Sequence, residues 1–192
     1  MENAAATLMQ TANAELLSLF DGSGLKVRKA RGEGAAWAKL LINLANALCA
    51  LTHSTFHDVL YDPDLKHCFL MILDEAVVVL NRTQAQFKLP ASLPYPVYRL
   101  LLQHAAPLAL RASAFHHTAS PHAYPSMVAD MQGGRPTEID QLNGEVCRLG
   151  QLCGVSTPGN QRLVDMIHAL EGQKPMRYIT PAELRQTLTT HD

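Results

Sequence analysis

The sequence predicts an all-α protein, with at most one short strand near the amino terminus. Three observations lead to this fold class. Apolar residues recur at helical spacing along most of the 192 residues, and three late segments begin with recognisable helix caps. Apolar residues make up 47% of the chain and charged residues only 17%, which favours a buried core over disorder. The length suits one domain, or one domain with an appendage.

The first part of the chain is predicted to contain one helix and one short strand. Residues 2–20 are rich in Ala and Leu at helical spacing, and the sequence DGSG ends that helix. Residues 25–30, LKVRKA, alternate apolar and basic side chains as a strand does. The glycines of RGEG, residues 31–34, separate this strand from a long helix expected over residues 35–51.

Two further helices are predicted in the middle of the chain. Residues 62–87 carry a long apolar pattern, and Asp62 or Asp64 can cap its first turn. The next helix, near residues 95–113, contains Pro107, which is expected to kink it.

Three helices are predicted in the last third of the chain from their caps. Thr137, with Asp140 three residues later, resembles a capping box and is expected to open a helix that runs to about Leu152. Thr157 and Thr180 each stand before a proline, which favours a cap followed by the first helical residue.

Composition and charge exclude several classes of partner. Lys plus Arg (16) nearly balances Asp plus Glu (17), and the longest basic cluster, residues 26–31, is too short to indicate nucleic-acid binding. The amino terminus lacks the pattern of a signal peptide, and the apolar residues 40–51 are too few to cross a bilayer. A soluble, cytoplasmic protein without membrane or nucleic-acid partners is therefore expected. Its cysteines are expected to be buried free thiols, because none has CxxC spacing: Cys49, Cys68, Cys147 and Cys153.

The helix over residues 35–53 carries an unexpected polar stripe. At 100° per residue, Lys39, Asn43 and Asn46 fall within roughly 60° of one another, and Ala50 and His53 continue the same line. Almost every other position is apolar, so these groups need partners. Three arrangements would provide such partners: the groups hydrogen-bond to one another, they cap a neighbouring helix, or they line a wet pocket for an oxygen-rich small molecule.

Three segments together resemble the C-terminal domain of ketopantoate reductase (2-dehydropantoate 2-reductase). They are WAKLLINLANALCAL at 37–51, SMVADMQGGRPTEIDQLNGEVCRLG at 126–150 and GVSTPGNQRLVDMI at 154–167. The resemblance implies a multi-helix domain of the 6-phosphogluconate-dehydrogenase-like type. It also implies an oxidoreductase of pantothenate biosynthesis that reduces ketopantoate with NADPH, with NADP(H) bound mainly by a separate Rossmann domain. A homodimer and a small 2-oxo or 2-hydroxy acid ligand are implied in the same way.

The same resemblance assigns roles to five residues. Lys39 matches the catalytic lysine that protonates the ketone oxygen as hydride arrives, and Asn43 matches an asparagine that positions substrate or lysine. Ser126 matches a serine that contacts the substrate carboxylate, and Glu138 matches the glutamate that binds the substrate hydroxyl and helps to organise the catalytic site. Asn46 matches the family's second asparagine and is a substrate-binding candidate. It lies seven residues after the lysine, where the family commonly has eight, and both spacings keep it on the face of the helix that carries the lysine.

The segment between Ser126 and Glu138 predicts a sharp turn. Gly133-Gly134 lets the chain reverse, so that Glu138 is expected in the first turn of the next helix, where a carboxylate gains from the helix dipole. Asp130 and Arg135 are interpreted as a structural ion pair or loop anchor.

The sequence contains no G-x-G-x-x-G that follows a strand, and only about 35 residues precede the lysine helix. The chain is therefore interpreted as a substrate lobe without its nucleotide lobe, inactive or nearly so by itself. Residues 1–30 are assigned to the end of a Rossmann domain, 31–172 to the helical substrate-binding and dimerisation domain, and 173–192 to a C-terminal extension. The alternative is a non-catalytic helical dimerisation or small-ligand-binding module that kept the fold.

Two other features have weaker interpretations. His116, His117 and His122 lie in the loop predicted over 116–126, and no metal site is predicted there because no cysteine or acid is interleaved. Glu75 interrupts an apolar helical run, and it either faces the pocket, belongs to a buried pair, or lies on a solvated face.

Overall fold

The computed structural model describes residues 32–85, 87, 89, 93–105, 123–173 and 177–190, and every regular element within those ranges is an α-helix. The all-α class is thereby confirmed. The helix and strand predicted over residues 1–30 lie outside the described residues, as do Pro107 and the three loop histidines. The helices are α1 (Gly32–Asn43), α2 (Ala45–Thr52), α3 (Phe56–Tyr61), α4 (Pro63–Arg82), α5 (Tyr95–His104), α6 (Ser126–Gly133), α7 (Asn143–Cys153), α8 (Pro158–Leu170) and α9 (Pro181–Thr189).

Helices α1 and α2 follow each other almost without a break. Leu44 between them keeps right-handed helical angles (φ −54°, ψ −28°), and its N–H donates to the Leu40 carbonyl at 3.0 Å. The helix predicted over 35–51 is therefore confirmed. It ends at His53, which takes a left-handed conformation (φ 52°), one that residues other than glycine seldom adopt.

Helix α4 is the centre of the fold and contacts α2, α3, α5, α7, α8 and α9. Asp62 caps it as predicted, because its Oδ1 accepts from the N–H groups of Asp64 and Leu65, both at 2.9 Å. One face of the helix buries large apolar side chains, each worth about 1.5–3 kcal/mol. They include Leu65, Phe69, Ile72, Leu73, Val77 and Leu80.

Helix α5 begins at Tyr95, as predicted, and ends at His104, where Ala105 leaves helical geometry (φ −138°, ψ 51°). Residues 106–113 of the predicted helix lie outside the described residues. Asp74 of α4 holds α5, since Arg99 Nε donates to Asp74 Oδ1 at 2.8 Å and the Tyr95 hydroxyl donates to the same carboxylate. Burial and this hydrogen bond raise the pKa of Tyr95.

The helix start predicted at Thr137 is wrong. Helix α7 begins at Asn143, and residues 137–142 form a turn before it. The Thr137 hydroxyl donates to Glu171 Oε1 at 2.7 Å instead of forming a capping box with Asp140. A partner distant in sequence thus replaces the local cap.

The other two predicted starts are where the sequence places them. Pro158 is the first residue of α8, although the Thr157 side chain makes no capping hydrogen bond. Thr180 caps α9 in a complete capping box with Glu183.

The segment predicted as a C-terminal extension packs on the same core. Leu184 is 0% exposed and Leu188 is 6% exposed, and α9 contacts α2, α4 and α8. The Ile179 N–H also donates to the Leu51 carbonyl at 3.0 Å, joining the segment to the end of α2.

All four cysteines are free, as predicted. Cys49, Cys68 and Cys147 are buried, and Cys153 is half-buried. Burial raises the pKa of the Cys68 thiol to about 12. None of the described helices is long and apolar enough to cross a membrane, and no cluster of three or more His, Cys, Asp or Glu suited to a metal ion occurs among the described residues.

Candidate functional site

The polar stripe runs from the surface into the core along α1 and α2. Lys39 is exposed, Asn43 is half-buried, and Asn46 is only 4% exposed. Ala50, on the same line, is fully buried, and His53 is exposed again. Within the described part of the chain, the side chains of Lys39 and Asn43 form no hydrogen bond or ion pair, so the polar groups of the stripe do not satisfy one another.

The Asn46 side chain is the most unusual group of the stripe. Its Oδ1 is buried and has no hydrogen-bond partner among the described residues. A buried polar atom without a partner costs about 1–3 kcal/mol. Such an atom is therefore a candidate acceptor for a ligand group.

Ser126 is the first residue of α6, and it is exposed. Helix α6 contacts α2, the helix that carries Asn46. The structure therefore brings the helix of the serine against the helix that carries the buried part of the stripe. The serine hydroxyl has no hydrogen-bond partner in the described ranges.

An aromatic cluster joins the end of α2 to the beginning of α6. The His53 ring stacks on the rings of Tyr124 and Tyr178, with centroids 4.7 Å apart in both cases. Gln132 Nε2 lies 3.0 Å from His53 Nε2 and donates to the Tyr178 hydroxyl at 3.2 Å. The sequence contains no signal for this cluster, because its members come from three separate segments.

Glu138 lies in the turn over residues 137–142, and its side chain is exposed. The prediction that it stands in the first turn of α7 is wrong, since that helix begins five residues later. The stabilisation of the Glu138 carboxylate by the dipole of α7, which was expected from that position, therefore does not apply. No hydrogen bond or ion pair between described residues joins Glu138 to the stripe, so their meeting in one site stays a prediction.

The glycine turn and the ion pair before Glu138 are confirmed. Gly134 ends α6 in a left-handed conformation (φ 67°), which glycine adopts without strain. Arg135 Nε donates to Asp130 Oδ1 at 2.9 Å, and the Arg135 N–H donates to the Asp130 carbonyl at 2.8 Å. The pair anchors the turn locally.

Glu75 belongs to a partly buried hydrogen-bond network that caps α8. Its Oε1 accepts from the Gly159 N–H at 2.8 Å, and its Oε2 accepts from the Asn160 N–H at 3.0 Å and side-chain amide at 2.7 Å. Asn143 Nδ2 donates to Asn160 Oδ1 at 3.0 Å, while Asn143 Oδ1 is the second buried oxygen without a partner in the described structure. The network joins α4, α7 and α8, and Glu75 is a structural residue.

A small apolar hollow of about 10 Å³ lies between α1, α4 and α5. It lacks charged groups for a carboxylate ligand, so the polar stripe remains the better candidate. The hollow is lined by Ala38, Leu41, Ile42, Phe69, Leu73, Leu89 and Tyr98.

The fold first defines a class: an all-helical domain in the described residues, built around the central helix α4. Residues 32–171 match the family described as ketopantoate reductase PanE/ApbA C terminal. The chain belongs to this family.

Two curated relatives are 2-dehydropantoate 2-reductases, which are oxidoreductases. The protein from Vibrio cholerae serotype O1 is 33% identical over 138 residues, covering 71% of this chain and 40% of its own length. The protein from Pyrobaculum aerophilum is 30% identical over 166 residues, covering 85% of this chain and 53% of its own. This chain thus spans about half, or less, of these relatives.

Solved structures show the same fold. The PanE/ApbA family ketopantoate reductase from Ralstonia eutropha JMP134 superposes with a TM-score of 0.64 at 27% identity, over 85% of this chain and 50% of that one. A D-mandelate dehydrogenase in complex with NADH and anilino(oxo)acetate gives a TM-score of 0.65 at 22% identity, over 85% of this chain and 65% of that one. The latter likeness concerns the fold alone.

Proposed function

We propose that this chain is the substrate-binding and catalytic lobe of an NADPH-dependent 2-oxo-acid reductase that converts ketopantoate to pantoate. The observation that carries the proposal is the set of uncommitted polar groups in a member of this family. The side chains of Lys39, Asn43, Ser126 and Glu138 have no hydrogen-bond or ion-pair partner among the described residues. A non-catalytic module has no evident use for all four.

Each group suits one part of a 2-oxo or 2-hydroxy acid. The Lys39 ammonium donates its proton to the ketone oxygen as negative charge develops there. The Asn43 amide orients the same oxygen or the lysine. Asn46 Oδ1 accepts a hydrogen bond from a substrate hydroxyl and so satisfies the buried oxygen.

The remaining two groups bind the ends of the substrate. The Ser126 hydroxyl donates to the carboxylate, at the beginning of α6 where helix N–H groups favour an anion. The Glu138 carboxylate accepts from a hydroxyl, as a charge-assisted hydrogen bond stronger than a neutral one.

The described residues do not fit NADP(H). They contain no strand and no glycine-rich turn from strand to helix, the arrangement that holds a dinucleotide. We place the nucleotide on a Rossmann domain that acts together with this lobe.

The first test is calorimetric titration of pantoate and ketopantoate into the chain and its Glu138→Ala variant. Saturable binding that Glu138→Ala abolishes is the expected result. Glu145→Ala is the matched control, because Glu145 is a glutamate of α7 already paired with Arg148 at 2.7 Å, and it should bind normally. Binding that Glu138→Ala leaves intact would contradict the assigned role.

The second test measures NADPH oxidation with ketopantoate after fusion to the amino-terminal part of the Vibrio cholerae relative. Lys39→Met should lower kcat by about 10²–10⁴-fold, as expected when a general acid is lost. Lys66→Met on α4 should leave kcat unchanged. Equal rates for the two variants would remove Lys39 from catalysis.

We also propose a homodimer. Large apolar side chains are exposed on two helices that pack together, Val78 on α4 and Val97 and Leu100 on α5. Light scattering should give twice the chain mass, and Leu100→Glu should reduce it. A monomer at high concentration would contradict the proposal.

A further inference from the structure

The turn that carries Glu138 is held at its first residue by the end of α8. The Thr137 N–H and hydroxyl both donate to Glu171 Oε1, at 2.9 and 2.7 Å. Glu171 directly follows α8, and its own N–H donates to the Ile167 carbonyl at 2.9 Å. The carboxylate therefore comes from a residue that the helix holds, and hydrogen bonds to a charged acceptor are roughly twice as strong as neutral ones.

The residue after Glu138 is held as well. Ile139 is 1% exposed, so its side chain is anchored in the core. Its N–H donates to the Thr137 hydroxyl at 3.3 Å. The Thr137 hydroxyl thus donates to Glu171 and accepts from Ile139, and Glu138 stands between two fixed neighbours with its own side chain exposed.

A second contact reaches the same turn from α8 but is weaker. His168 Nε2 lies 3.1 Å from Asp140 Oδ1, and both side chains are exposed. Exposed ion pairs contribute only about 0–1 kcal/mol. The half-buried Glu171 contact is therefore the one that can fix the turn.

We propose that Glu171 is a positioning residue for Glu138 and acts through Thr137. This inference rests on the proposed function, in which Glu138 binds the substrate hydroxyl. Glu171 itself touches neither Glu138 nor substrate in this role. It removes backbone freedom at residue 137, so that the exposed Glu138 carboxylate is presented in one place, and preorganisation of this kind strengthens binding.

The experiment combines two measurements on the full chain and on three variants. Amide hydrogen exchange at Thr137, followed by NMR, reports the contact, and calorimetric titration of pantoate reports its consequence. Glu171→Ala should speed exchange at Thr137 and weaken pantoate binding, each by about tenfold, as expected for the loss of a hydrogen bond to a charged group. Glu171→Gln should largely keep the slow exchange at Thr137 and the pantoate affinity of the unsubstituted chain, because the amide carbonyl oxygen of Gln accepts the same two hydrogen bonds. His168→Ala, the matched control, should change neither by more than about twofold.

The alternative results are distinguishable. Fast exchange at Thr137 in Glu171→Ala with unchanged pantoate affinity would overturn the positioning role and leave the proposed function standing. Unchanged exchange would overturn the contact itself. Failure of the unsubstituted chain to bind pantoate would overturn the proposed function, and the positioning role with it.

Discussion

Asn46 and Asn160 are both buried, but they differ in the hydrogen-bond partners of their side chains. Asn160 donates to Glu75 at 2.7 Å and to the Ile72 carbonyl at 3.1 Å, and it accepts from Asn143. Asn46 Oδ1 has no partner in the described structure. Burial alone therefore does not tell whether a polar residue stabilises the fold; the partners decide.

Alanine variants of these two asparagines should separate the two cases in urea unfolding. Asn160→Ala should lower the free energy of unfolding by about 2–4 kcal/mol, because it leaves buried partners unsatisfied. Asn46→Ala should lie between no change and a gain of about 1 kcal/mol, since it removes an unsatisfied oxygen and places a better helix former in α2. An equal loss in both variants would mean that Asn46 stabilises the fold.

Two glycines of α7 differ in the space around them. A Cβ on Gly150 would lie 2.7 Å from the Val155 carbonyl oxygen, whereas one on Gly144 would meet its nearest atoms at 3.5 Å. Gly150→Ala should therefore destabilise the chain by about 1–3 kcal/mol through overpacking against backbone. Gly144→Ala should stabilise it by a few tenths to about 1 kcal/mol through helix propensity. Thermal unfolding followed by circular dichroism measures both, and a stable Gly150→Ala variant would show that the loop after α7 can move away.

At the scale of the elements, helices α8 and α9 are capped in two different ways. Helix α9 is capped by its own neighbours, Thr180 and Glu183. Helix α8 is capped by the distant Glu75 of α4. Only the first kind leaves a pattern in a single stretch of sequence.

The cap of α9 should weaken in acid. The Thr180 N–H and hydroxyl both donate to the Glu183 carboxylate, and these hydrogen bonds lower the pKa of Glu183. Because the pKa of Glu183 is lower in the folded state, its hydrogen bonds stabilise the fold at pH values above the unfolded-state pKa. This stabilisation is lost as the pH falls through the folded-state pKa. The stability difference between the unsubstituted chain and Glu183→Gln should favour the former at pH 7 and shrink as the pH falls below ~4. A difference that does not change with pH would contradict this prediction.

At the scale of the whole molecule, the core extends beyond the matched family range of residues 32–171. Helix α9 lies outside that range, but it contacts α4 and buries Leu184 completely. Arg185 of the same helix reaches Asp64 with Nη1 and Oδ1 2.9 Å apart. The last segment is therefore part of the globular fold.

Leu184→Ala should lower the free energy of unfolding by about 2–5 kcal/mol, because it opens a cavity in the core. Arg185→Ala, one residue along the same helix, should cost less than about 1 kcal/mol, since it removes only a partly exposed ion pair. Urea unfolding of both variants checks the prediction. A small effect of Leu184→Ala would mean that α9 does not contribute to the cooperative core.

The sequence by itself determined the fold class and most helix positions. Helical spacing and local caps identify the lysine helix, α4 and α9, because side chains three or four residues apart meet on one face. The stripe of Lys39, Asn43 and Asn46 was likewise readable, since it needs only the 100° rotation per residue. The start of α7 could not be predicted from the sequence, because Thr137 donates a hydrogen bond to Glu171 instead of capping its own helix.

Only the tertiary structure decided which polar groups are committed and which are free. Glu75 proved to cap α8, Asn46 kept a buried oxygen without a described partner, and Glu138 came to lie in a turn. The reason is physical: a hydrogen-bond partner 34 or 84 residues away leaves no periodicity in the sequence. Packing brings such partners together, and it is packing that separates structural polar residues from those available to a ligand.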